Sequence, residues 1–158
     1  HRRYRPQQWD DVKQWQFYAS GGEPWFGLEA VRDLRGLPPE ILLIPLTGHT
    51  QGHAGVAIQT SEGWLLHAGD AYFYRHEMNV ANRHCTAGLR LYQTLMEVNR
   101  KARLHNQERL YTLSRDRAHD VRLFCSHDAI ELKAFTDPAS IDPSLLPGRH
   151  TGQLSQIT

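Results

Sequence analysis

Residues 41–46, Ile-Leu-Leu-Ile-Pro-Leu, form a near-continuous apolar run that stops at Thr47-Gly48-His49-Thr50-Gln51-Gly52-His53. A run of strand length without polar alternation suits a strand buried on both faces. The chain must therefore build a sheet and cover it, and the corner after this strand must carry two imidazoles to the sheet's rim. Gly48 and Gly52 are expected to let the backbone turn tightly there, so that His53 emerges at a rigid strand end.

Two further strand ends repeat the pattern. Trp64 to Ala68 runs into Gly69-Asp70, and Val121 to Cys125 runs into Ser126-His127-Asp128. A carboxylate at a sheet edge costs several kcal/mol if buried unpaired, so Asp70 needs a cation or hydrogen-bond donors. Each residue has an ordinary reading as well: His53 as a hydrogen-bonding imidazole, Asp70 as a turn cap, Asp128 as the cap of the next helix. Three strand ends presenting His, Asp and His nevertheless suit a borderline cation such as zinc, which takes neutral imidazole nitrogens and carboxylate oxygens.

The remaining pattern is that of one ordinary domain in 158 residues. Residues 14–18 suggest a strand, and Phe26, Leu28, Ala30 and Leu34 alternate as in a half-buried one. Residues 54–60 and 64–68, joined across Ser61-Glu62-Gly63, predict a β-hairpin. Thr86 caps an expected helix whose apolar face holds Leu91, Tyr92, Leu95, Met96, Val98 and Ala102; a second helix, 107–117, follows a break near His105-Asn106. Residues 121–125 read as a buried strand, and residues 130–135 begin a helix that Asp137-Pro138 stops. This organisation predicts a single partial domain over residues 1–136 and a Pro- and Gly-containing tail over 137–158, with a mixed sheet covered by helices on one face.

Composition narrows the function. Eighteen basic against 17 acidic residues give almost no net field, and the arginines between positions 100 and 122 are interleaved with acids, so no nucleic-acid partner is expected. No apolar stretch approaches the roughly 20 residues of a membrane span. The basic N-terminus has no apolar run behind it and reads as a chain entered midway. Cys85 and Cys125 form no C-x-x-C pair, which favours a reducing, cytoplasmic setting and a packing role for Cys125. No nucleophile elbow, phosphate-binding glycine loop or dinucleotide fingerprint is present.

Segments 46–53, 65–70 and 124–127 together resemble the C-terminal half of the metallo-β-lactamase superfamily, over roughly residues 41–130. The resemblance implies an α/β fold, an incomplete αββα sandwich, and metal-dependent hydrolysis of a small ester, thioester, lactone or amide. It implies a site for one or two zinc ions, weak or absent in this chain, with His53, Asp70 and His127 as metal ligands, Asp70 as the catalytic carboxylate that bridges the metals when both are present, and His49 as a loop residue. The upstream His-x-His-x-Asp-His motif of that family is absent, which implies little or no activity for this chain alone. Three outcomes then stand open: a piece of a longer enzyme lacking its N-terminal half, a homo-oligomer that rebuilds the sandwich, or a degenerate protein with no chemistry; the rival reading is a non-enzymatic oligomerising or binding module.

Around the site, Tyr72, Tyr74, His76 and His84 are candidates for contact with a small-molecule substrate. In the lactone-cleaving branch a tyrosine stands three residues past the bridging aspartate. Here that position is Phe73, which argues against a lactonase. His67 is expected to be a satisfied core imidazole.

Overall fold

The computed structural model describes residues 5–137 except 20 and 33, with 139, 142 and 147 beyond them. The expected tail therefore lies almost wholly outside the described residues.

The central element is a four-stranded sheet in the order β3 (Ile41–Pro45), β4 (Ala54–Thr60), β5 (Gly63–His67), β6 (Val121–Phe124). The first three strands are antiparallel neighbours, and β6 lies parallel to β5. A small hairpin, β1 (Glu23–Trp25) and β2 (Leu28–Ala30), extends the β3 edge through paired hydrogen bonds between Val31 and Leu43 of 2.8 and 3.1 Å. The expected β4–β5 hairpin is present, whereas residues 14–18 form no strand and leave Phe17 82% exposed.

Register separates the faces of the sheet sharply. Leu42, Ala57, Leu66 and Leu123 lie in one row and are fully or almost fully buried under the helices. The neighbouring row, Leu43, Val56, His67 and Phe124, points to the other face and is only half-buried. His67 sits there against the Phe124 ring at 4.8 Å, rather than in the core. Among the described residues the fold is thus a mixed α/β layer with one well-covered face; a complete two-sheet sandwich is not formed.

Between β5 and β6 run α1 (Ala87–Met96) and α2 (Arg100–Asp116), and α3 (Ala129–Thr136) follows β6. Thr86 caps α1 as expected, accepting from Leu89 N. The break between helices falls at Glu97–Asn99 instead of His105-Asn106, because Asn99 caps α2 through Ala102 N at 3.0 Å. Asn106 stays helical because its amide has a tertiary partner, donating to Thr47 O at 2.8 Å.

The packing of α1 also departs from its pattern. Its apolar residues Leu91, Tyr92 and Leu95 are exposed, and the residue it buries is Gln93. A polar cluster inside, described below, outcompetes the apolar stripe for the inner position.

Candidate functional site

The three strand ends do converge. Backbone bonds from Ala68 N to Phe124 O and from Ser126 N to Gly69 O tie the tips of β5 and β6 together, at 2.8 and 3.0 Å. At the end of β3 the corner closes on itself through Leu46 N to His53 O and Gly48 N to Thr50 O, both 2.9 Å. Gly48 O accepts from Val98 N and Asn99 N, which docks the corner on the α1–α2 junction. Gly48 is required twice over: its φ is +137°, and a Cβ there would lie 2.4 Å from Arg103 N. Gly52 meets nothing within 4 Å, so only the first of the two glycines has the role expected of both.

Asp70 stands between two imidazoles. His49 Nε2 lies 3.3 Å from Asp70 Oδ2, and His127 Nε2 lies 3.2 Å from Asp70 Oδ1. The His49 side chain is 10% exposed, against 34% for Asp70 and 42% for His127, so the cluster opens to solvent on the His127 side. Phe73 packs between the rings, with centroids 5.9 Å from His49 and 4.1 Å from His127. Phe73 is thus an apolar wedge that packs against two imidazoles.

His53 is close by but differently employed. Its Nδ1–H donates to Leu46 O, and its Nε2 accepts from Asp70 N, each at 2.8 Å. Both ring nitrogens are spent on backbone, and burial lowers its pKa, so the neutral tautomer required by this pairing is favoured. Gly69 makes room for this clamp: its φ is +58°, and a Cβ would lie 2.7 Å from His53 Nε2. The imidazole facing the carboxylate from the Gly-His-Thr-Gln-Gly-His corner is His49, where the sequence pointed to His53. No local sequence signal separates the two imidazoles, since both reach Asp70, His49 at its carboxylate and His53 at its backbone.

The remaining candidates fall into separate groups. Tyr72 is fully buried and donates to both carboxylate oxygens of Glu131 at 3.0 Å, so it lines no surface. Glu131 also accepts from Cys125 N at 2.8 Å; burial pushes its carboxyl up to about 7 and pushes the Cys125 thiol up as well. Asp128 caps α3 through Ile130 N and grips Arg75 N and Nη1 at 2.9 and 3.0 Å, which accounts for that carboxylate structurally. Tyr74, His76 and His84 pack on one another, the two imidazoles stacked at 4.6 Å.

The donors at the strand tips are of the right chemistry for a divalent cation, but they do not close a site. Among the described residues no group of three or more His, Cys, Asp or Glu is placed to hold a metal ion. The two imidazoles converge on opposite oxygens of a single carboxylate.

The chain has relatives among proteins described as metallo-hydrolases. Over 126 residues, 80% of this chain, it is 33% identical to proteins described as probable metallo-hydrolases from Mycobacterium bovis and Mycobacterium tuberculosis. The chain is therefore related to probable metallo-hydrolases, and the match spans only 40% of their length. No family model matches the chain. No helix among the described residues is long and apolar enough to cross a membrane.

Proposed function

We propose that this chain carries half of the metal centre of a hydrolase, with His49, Asp70 and His127 as its donors and His53 as the clamp that aims Asp70. The observation that carries the reading is the placement of His49 and His127 on opposite oxygens of Asp70. A carboxylate so flanked suits a bridging role between two cations, and imidazole with carboxylate suits zinc. When bound, such ions acidify a coordinated water and polarise a carbonyl or phosphoryl oxygen. Phe73 and the backbone ties between β5 and β6 hold the donors in place, and His127, the more exposed imidazole, borders the side open to a small ester, thioester or amide.

The missing donors are proposed to come from outside these 158 residues, as the greater length of the related metallo-hydrolases suggests. The half-buried second face of the sheet, with Ile58 41% exposed, supports a further layer of chain there. Alone, the chain is expected to hydrolyse such substrates feebly or not at all, because too few ligands remain to build the open two-metal geometry.

Zinc titration followed through the imidazole nitrogen resonances tests the assignment. Progressive shifts at His49 and His127, with His53 unmoved, are expected, and so is loss of most of the metal on desalting. Shifts centred on His53, or a full equivalent of zinc retained by the monomer, would overturn it.

A further inference from the structure

Helix α2 begins against electrostatic preference. Its first turn holds Arg100, Lys101 and Arg103 and no acidic residue, although the partial positive charge of a helix N-terminus favours carboxylates there. Glu97 offsets part of this by pairing with both Arg100 and Arg103. Across from that turn, Arg83 and Arg90 border the same space. Four arginines thus line one cleft of about 280 Å³, walled by α1, the start of α2 and residues 77–85.

The arginines of this cleft are partly paired: Arg83 meets Glu108, and Arg100 and Arg103 share Glu97, so among the described residues Arg90 alone has no carboxylate partner. Glu77 is the one acidic residue lining it, and its carboxylate is already committed: it accepts from Phe73 N, Tyr74 N and Gln93 Nε2. Arg103 is 5% exposed. Its Nε donates to Glu97 and its Nη1 to Gln93 and Gln107, whereas its Nη2 has no hydrogen bond to any described residue. Arg90 makes a single long bond of 3.4 Å to Cys85 O, and Arg100 uses only its Nη1. Arg103 Nη2 is not among the buried polar atoms left without a partner, so it is open to solvent and free to donate to an acceptor that enters the cleft. Forked, permanently charged donors of this kind match the oxygens of a phosphate better than a point charge would.

We propose that this cleft binds a phosphate group, either free or as a small monoester. The volume lies at the low end for ligand sites, which suits a compact anion rather than an extended molecule. The site is separate from the strand-tip cluster but wired to the loop that follows Asp70, since Gln107 donates to Ala71 O at 3.0 Å and Glu77 accepts from Phe73 N at 2.9 Å.

Calorimetric titration of the full chain with inorganic phosphate and with phenyl phosphate, in the presence of a chelator, isolates this site from the metal centre. Saturable binding of phosphate is expected, weakened about tenfold or more in the Arg90→Ala/Arg100→Ala variant. Both residues are exposed, so the melting curve of the variant should match that of the parent and show that it folds. Tighter binding of phenyl phosphate would identify a monoester, and equal or weaker binding the free ion. Absence of saturable binding at millimolar phosphate, undiminished affinity in the variant, or succinate binding as tightly as phosphate would each overturn the proposal.

Discussion

Two polar constellations lie a few residues apart in this chain and obey opposite rules. At the strand tips, His49, Asp70 and His127 meet only side chain to side chain, partly open to solvent. Under α1 and α2, Glu77, Gln93, Glu97, Arg103 and Gln107 are interlocked and largely buried, at the floor of the arginine-lined cleft. The inner cluster is integral to the packing: it takes the place of the apolar stripe of α1, and its hydrogen bonds reach the backbone at Ala71, Phe73 and Tyr74. The outer cluster rides on strands whose own pairing does not need it. Removing a member should therefore unfold the molecule in one case and merely disarm it in the other.

The sharpest way to break that contrast is Arg103→Met. It leaves Glu97, whose side chain is 7% exposed, without its buried partner, strands the Gln107 side-chain oxygen and removes one of two donors to that of Gln93. Breaking a buried pair from one side costs roughly 3–5 kcal/mol. Urea denaturation should show that loss at neutral pH; a change below 1 kcal/mol would mean the inner cluster is not structural.

A second effect, about as large, belongs to a carboxylate that joins the two regions. Glu131 holds Tyr72 and Cys125 N, and burial pushes its carboxyl from 4.5 up to about 7. The folded protein therefore binds this proton where the unfolded chain has released it. The contribution is fully present below about pH 4.5 and is lost as pH rises through about 7, a fall of roughly 3 kcal/mol from this group. Unfolding free energies between pH 5 and 8 should slope downward accordingly, and Glu131→Gln should flatten the slope.

Gly69→Ala is expected to cost about 2 kcal/mol, from the left-handed backbone and from displacing the His53 ring off Asp70 N. Its diagnostic is local: the His53 tautomer should become mixed in the nitrogen spectrum, while the inner cluster keeps its amide protection.

What the sequence disclosed follows the same division. Strands β3 to β6, and the capping residues Thr86 and Asp128, were legible because apolar runs, turn glycines and caps are local signals. The convergence of Asp70 and His127 was legible because strand ends in one sheet lie near each other. Which imidazole faces Asp70 was not, since that depends on the inward turn of the corner at Gly48 and on its docking to the α1–α2 junction. The inner cluster was invisible for a related reason. Gln93, Arg103 and Gln107 look like the solvated side of two helices until tertiary contacts with Glu77 and Ala71 invert the packing. Helical periodicity reports a stripe, and the choice of which side turns inward rests with its partners.

The smallest expected effect tests the contrast from its other side. His127 is 42% exposed on its side chain; it touches the Phe73 ring and one oxygen of Asp70, and its backbone lies beyond the last pairing of β6. An exposed pair of this kind contributes ~0–1 kcal/mol, so His127→Ala should shift stability by no more than about 0.5 kcal/mol. The same substitution removes one of three proposed donors, and the zinc-induced shift at the His49 ring should weaken strongly, because Asp70 and one imidazole hold a cation poorly. Stability kept and metal response lost is the signature of side chains maintained for a ligand rather than for the fold. A loss above 2 kcal/mol would instead make the strand-tip cluster a structural ion pair, and the difference between the two constellations would vanish.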